Sequence, residues 1–305
     1  MNKLLPSFSF FLLCALSCPA QSDLLRVGVA CVDMTPTVFP IQLRSGKSNY
    51  VHDPLHVRAV AFEYGNGRAV ICLIDAIGIG RDMSDLAKAR AAEKTGWKPE
   101  EMLLCATHTH SAPKGGEGTP GKEAYEKLKH EKLEEAIVRA IQSLQPARVG
   151  YASDKEPSEV RNRRWFLQPG TMPPNPLGEK DQVKTNANRN HLLKPAGPID
   201  PELCVIDVRT TRNRPLALIA NYALHYVGAI PKVKEENGRE VGMASADYFG
   251  EFSRIMPYRI GGFNPPEDFV VLMTNGASGD INNLIFTGKR APRAPFEQVR
   301  IVASK

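Results

Sequence analysis

His108 and His110 stand two residues apart in Ala106-Thr107-His108-Thr109-His110-Ser111-Ala112-Pro113, directly after the apolar run Met102 to Ala106 and at the entrance to a glycine-rich loop. Neutral imidazole is the commonest protein ligand for zinc. In an extended segment, side chains at i and i+2 point to one side, so the pair could address one cavity at the end of a buried strand. The competing reading is that the histidines only hydrogen-bond within a loop. Leu216 to His225 and Phe269 to Asn283 repeat the pattern of an apolar strand that ends in polar groups, and Ile71 to Asp75 offers a fourth case. Strand ends followed by loops are where α/β sheets bind ligands. The set points to a metal centre built on His108 and His225. His110, Asp75, Asp247 and Asp280 are candidates to ligate or to stand behind the ligands. A hydrolytic zinc site typically has three protein ligands plus a water whose pKa falls to about 7.

The elements that must position these groups are legible in outline. Leu25 to Val32 and Val57 to Tyr64 read as strands, and Gly65-Asn66-Gly67 is a hairpin signal before Ala69 to Ile74. Ser84 to Lys94 reads as a helix, followed by the strand Met102 to Ala106; strand, helix, strand predicts a parallel pair. Lys122 to Leu144 is the longest predicted helix, ended by Pro146. Residues 154 to 201 are rich in Pro, Asn, Gly and charge and are expected to be irregular. A second hairpin-like pair, Leu203 to Arg209 and Pro215 to Tyr222, leads to His225. A helix from Ala246 to Ile255 and a strand from Asp268 to Thr274 follow. The expected fold is α/β: mixed, largely buried β-sheets with flanking helices, in a single catalytic-type domain with its active site at strand ends.

Composition narrows the setting. The first twenty residues carry Lys3, an apolar stretch from Phe8 to Leu16 and small residues at Cys18 and Ala20, the pattern of a cleavable secretory signal. A membrane span needs roughly 20 apolar residues, so a secreted or periplasmic domain over 21–305 is expected rather than an anchored one. Cys31, Cys72, Cys105 and Cys204 all lie in strand-like runs where buried free thiols are expected, and no Cys-x-x-Cys zinc pattern occurs. The net charge of +6 is scattered apart from Arg161, Arg163 and Arg164, and no run alternates basic and aromatic residues. Nucleic acid is therefore not expected as a partner. Peripheral contact with an anionic membrane surface is compatible with the charge.

The Ala-Thr-His-Thr-His-Ser-Ala-Pro loop resembles the Ala-Thr-His-Thr-His-Ser-Gly-Pro signature of the neutral, non-lysosomal ceramidases, zinc amidases that hydrolyse the N-acyl bond of ceramide. Val27-Gly28 through Asp33-Met34-Thr35-Pro36 looks like that family's opening strand, Cys72 to Asp75 like its Asp-ending strand and Asn162-Arg163 like its Asn-Arg element. Asn221 to His225 is similar to the second histidine segment, Ser245-Ala246-Asp247 to Ser-Ser-Asp, and Asn275 to Asn283 to the Gly-Asp-x-Ser-Pro-Asn segment. The order is also the family's. The resemblance implies His108 and His225 as zinc ligands, and His110 as an active-site neighbour that hydrogen-bonds substrate or orients a ligand. It implies Arg163 near the substrate, where a strong donor stabilises a developing oxyanion, and Asp280 at the mouth of the cavity.

Two departures stand out. Asn282 occupies the place of the family's catalytic serine; an amide cannot be a nucleophile but can donate hydrogen bonds. The family's remaining zinc ligands, a Glu and a Tyr, lie downstream of the Gly-Asp segment, whereas this sequence stops at Lys305 in what looks like a helix beginning near Pro295. A shortened relative or an incomplete sequence is expected. Gly276-Ala277-Ser278-Gly279 fails the nucleophile-elbow pattern because position 280 is Asp, so Ser278 reads as a turn residue. His52 and His56 read as loop residues, His130 as a solvated helix residue, and nothing specific marks His191. The resulting expectation is a zinc hydrolase that cleaves a C–N amide bond of an N-acyl lipid, ceramide by analogy, through attack of metal-bound water. The alternatives are a non-catalytic binding member of the fold and a metal-dependent esterase.

Overall fold

The computed structural model describes residues 24–228, 230–288 and 293–305. The expected signal segment lies outside them. Eight strands form the main sheet: β1 (Arg26–Asp33), β2 (His56–Tyr64), β3 (Gly67–Ile74), β4 (Met102–Ala106), β5 (Gln145–Lys155), β6 (Glu202–Thr210), β7 (Pro215–Tyr222) and β8 (Val270–Asn275). Their order is β8-β7-β6-β5-β1-β2-β3-β4. The β3–β4 and β7–β8 pairs are parallel and the rest antiparallel. The hairpin predicted at Gly65-Asn66-Gly67 joins β2 to β3, with Tyr64 opposite Gly67.

Only two residue pairs, Arg26 with Pro146 and Val27 with Gln145, join β1 to β5. The sheet folds back on itself at that joint. Side-chain alternation shows the result: Ala217 and Ile219 of β7 and Val270 and Leu272 of β8 pack against Val27, Val60 and Leu73 of the other half. Leu218, Ala220 and Tyr222 point the other way, onto helix α3 (Asp247–Gly261) and helix α4 (Glu297–Ala303), through Phe249, Phe252, Val299 and Val302. Val57, Ala59, Cys72 and Ile74 meet helix α1 (Arg81–Thr95) and helix α2 (Pro120–Gln142) through Ala87, Leu133 and Ile137. The four layers run helix, sheet, sheet, helix. This is the expected α/β class, and it explains why these strands read as continuous apolar runs: both faces are buried. Strand β1 approaches helix α2 closely at Gly28, where a Cβ would lie 2.0 Å from the Ala140 carbonyl.

Several expectations need correction. Strand β5 was not anticipated; beyond Ala147 both its faces are exposed, so no apolar alternation marks it in the sequence. Residues 154 to 201 are not wholly irregular. They hold a three-stranded sheet of Lys184–Thr185, Arg164–Leu167 and Leu192–Pro195, and Arg161–Asn162 pairs with Ile281–Asn282. The four cysteines among the described residues, Cys31, Cys72, Cys105 and Cys204, are free, but Cys31 is exposed and only Cys72 is fully buried. No helix among the described residues is long and apolar enough to cross a membrane.

Candidate metal centre

Folding the sheet in half brings its two outer strands together. Asn275, at the end of β8, donates from Nδ2 to the Thr107 carbonyl just past β4, at 2.7 Å. The loops that leave β4, β7 and β8 therefore share one edge of the molecule. Past β4, Thr107 N–H bonds the Ile74 carbonyl and His108 N–H the Ala76 carbonyl. His108 then adopts φ 65°, a left-handed conformation uncommon outside glycine. The two imidazoles therefore meet because the chain turns at His108, and the expected extended i, i+2 geometry is absent. Thr107 and Thr109, which alternate with the histidines, are buried, and Thr109 Oγ1 donates to the Ser245 carbonyl and accepts from Ser111 N–H. The threonines anchor the loop while the histidines face outward.

His225, three residues beyond the end of strand Pro215–Tyr222, completes the cluster. Ring centroids lie 4.9 Å apart for His108 and His110, 4.8 Å for His108 and His225, and 5.2 Å for His110 and His225. One nitrogen from each ring lies within 4.8 Å of the others, and these three residues are a group among the described residues that could hold a metal ion. His108 Nδ1 is 2.7 Å from the Ile77 carbonyl, and His225 Nδ1 is 3.2 Å from the Ser278 carbonyl. A carbonyl can only accept, so both Nδ1 atoms carry hydrogen and both Nε2 atoms are left as acceptors, the arrangement that orients a metal-binding histidine.

His110 is held differently. Arg44, in the turn between the short strands Ile41–Leu43 and Gly46–Ser48, places Nη1 3.2 Å from His110 Nδ1. Guanidinium only donates, so this Nδ1 accepts and the proton of the neutral ring sits on Nε2. That Nε2 lies 3.2 Å from His225 Nε2, a hydrogen-bond distance. Burial, then His108, His225, Arg44 and Arg163, hold the His110 pKa down at about 4. Burial and Arg163 lower that of His225. Both rings are neutral at pH 7, as metal ligation requires. The donor set, imidazole nitrogens backed by carbonyls, fits zinc.

The other predicted residues fall around this cluster. Arg163 donates from Nε and Nη2 to the Gly279 carbonyl at 3.0 and 2.6 Å, next to the Ser278 carbonyl that holds His225. The Asp280 carbonyl accepts from Arg163 N–H, and its Oδ2 accepts from Asn162 Nδ2 at 3.4 Å. Asn282 is buried, with Oδ1 accepting from Leu284 N–H. Ser278 is a turn residue. Asp75, Asp247 and Asp280 stand outside the histidine cluster. Asp75 pairs with buried Arg58. Asp247 accepts from Ser111 Oγ at 3.2 Å, and burial raises its pKa to about 7. Arg44 was missed: it lies far away in sequence, in a segment with no motif. A cavity of about 400 Å³ lined by His52, Asp53, His56, Arg58, Phe269 and Phe296 includes none of the clustered histidines.

No protein-family model matches the chain, and no curated protein matches its sequence. Solved structures do. Neutral ceramidase from Pseudomonas aeruginosa superposes with a TM-score of 0.65 at 20% identity, over 92% of this chain and 43% of that one. A structure described as ceramidase complexed with C2 gives 0.61 at 19% identity, over 86% of this chain and 39% of that one. The chain thus spans less than half the length of either. What it is shown to share with the neutral ceramidases is the fold.

Proposed function

We propose that this chain forms the metal-binding part of a zinc-dependent amidohydrolase that cleaves the C–N bond of an N-acyl lipid. The observation that carries the reading is the carbonyl-backed pair of imidazoles, His108 and His225, whose Nε2 atoms are left unprotonated within one three-histidine cluster. His110 is assigned as their neighbour, because the Arg44 contact leaves its metal-facing nitrogen protonated. Bound zinc supplies a Lewis acid and a water activated near neutral pH. In the chain's own contribution, His110 Nε2–H donates to the nucleophile or the scissile carbonyl. Arg163, whose guanidinium keeps N–H groups beyond those on Gly279, stabilises the developing oxyanion. Asp280 sits at the mouth, and Asn282 can donate where the ceramidases have a serine.

Ceramide is the substrate suggested by the fold neighbours, and a secreted or periplasmic location by the leader-like first twenty residues. The Asn at 282 favours a second reading, a binding member of the fold without turnover. Zinc analysis of purified protein, with N-acyl and O-acyl lipids as substrates, decides between them. We expect close to one equivalent of zinc, lost in His108→Ala, and amide hydrolysis. Stoichiometric zinc without turnover would support the binding reading. Less than about a third of an equivalent, insensitive to His108→Ala, would end both.

A further inference from the structure

Two guanidinium groups flank the histidine cluster, and neither meets a carboxylate. Arg44 is exposed, and its recorded partner is the acceptor nitrogen of His110. Arg163 is half-buried, and its side chain donates to a backbone carbonyl. No ion pair involves either residue among the described residues, although ten other arginines there form one. The nearest acid in sequence to Arg163's partner, Asp280, turns its Oδ2 to Asn162. Imidazole is neutral or cationic, so the cluster itself adds no negative charge.

We propose that Arg44 is a specificity-determining residue that receives an anionic group of the substrate, so that the preferred acyl compounds carry a carboxylate or phosphate beside the scissile bond. This rests on the hydrolase reading above and names its substrate class. Arginine's planar fork offers five N–H groups and suits carboxylate and phosphate oxygens in pairs. One of those N–H groups is directed at His110 Nδ1, which leaves the rest of the fork for a ligand. The position matters as much as the charge. Arg44 bonds the nitrogen of His110 that faces away from His225, one imidazole ring removed from the nitrogens that would hold metal. An acyl compound whose anionic group stands a few bonds from its carbonyl, such as an N-acyl amino acid or an N-acyl phosphoethanolamine, could then meet Arg44 and the histidine cluster together. A neutral ceramide head group would leave this fork unused. Arg163, on the His225 side, adds a second positive charge and strengthens the same preference.

The test compares N-dodecanoylglycine, N-dodecanoyl phosphoethanolamine and N-dodecanoylethanolamine as substrates of the zinc-loaded chain. The charged members should exceed the neutral one in kcat/KM by at least about tenfold, with the better of the two identifying carboxylate or phosphate. Arg44→Gln should lower that ratio about tenfold, and Arg44→Lys should restore part of it, because charge returns without the fork. An independent arm measures binding of N-acetylglycine and N-acetylethanolamine by NMR, reading the His110 ring resonances. Tighter N-acetylglycine binding that is lost in Arg44→Gln upholds the proposal even if no substrate turns over, in which case the hydrolase reading alone fails. Equal handling of charged and neutral partners, or a preference untouched by Arg44→Gln, overturns it.

Discussion

Asp75 ends strand β3 on Arg58: Nη1 of the guanidinium donates to Asp75 Oδ2 at 2.8 Å, with both side chains buried. The same Oδ2 accepts from His56 N–H at 2.8 Å, while Oδ1 has no partner. A carboxylate so engaged has its charge neutralised in the core and is not available as a metal ligand. Breaking such a pair from one side leaves an uncompensated buried charge, at a cost of about 3–5 kcal/mol. Arg58→Met should therefore lower the urea unfolding free energy by about that much, and the double variant Arg58→Met with Asp75→Leu should recover most of it. A single-variant loss under about 1 kcal/mol would show that water reaches the pair.

Zinc affinity should separate the three histidines. His108→Ala and His225→Ala each remove a carbonyl-backed nitrogen and should weaken zinc binding about a hundredfold or more in chelator competition. His110→Gln removes a neighbour and should weaken it less than about tenfold. Equal losses at all three positions would make His110 a ligand and would require Arg44 to move off Nδ1.

The fold was legible wherever burial is periodic. Apolar runs such as Ala69 to Ile74 and Pro215 to Tyr222 located strands to within a residue or two, because a strand largely covered on both faces must be largely apolar. Strand β5 escaped because its exposed residues carry no such pattern. The cluster was legible as residue types and only partly as geometry. His108 and His225 could be picked out from strand-end position and family likeness, whereas the left-handed turn at His108 and the approach of Arg44 depend on loops that the folded sheet brings together. No local pattern encodes contacts across so many residues.

Asp247 should give stability a pH dependence of known sign. Its folded pKa is raised from 3.8 to about 7, chiefly by burial. Between those values the folded chain holds a proton that the unfolded chain releases, so this group's contribution to stability falls as pH rises through that window. The depressed values of His110 and His225 act in the opposite sense, so the readout is the difference between wild type and Asp247→Asn. Asn also tolerates the left-handed φ of 59° at this position. Relative to wild type, Asp247→Asn should gain stability from pH 5 to pH 8 in metal-free protein. A difference that does not change with pH would mean that Asp247 titrates normally.

Gly276 links the end of β8 to the orientation of His225. Its N–H bonds the Tyr222 carbonyl at 3.1 Å, and its own carbonyl accepts from Ser278 N–H at 2.7 Å, which fixes the turn whose Ser278 carbonyl meets His225 Nδ1. A Cβ at Gly276 would stand 2.9 Å from Asn221 Oδ1 and 3.3 Å from Ala223. Asn221 cannot swing aside freely, because its Nδ2 donates to Thr274 Oγ1 at 2.8 Å. The turn must give instead, and the imidazole loses the partner that fixes its orientation. Loss of such a supporting contact typically costs 10–100-fold in metal affinity. Gly276→Ala should therefore weaken zinc binding about tenfold while the protein stays folded by circular dichroism. Adding Asn221→Ala removes the closer of the two clashes and should restore part of the affinity. If Gly276→Ala binds zinc as tightly as wild type, the Ser278 carbonyl does not control His225.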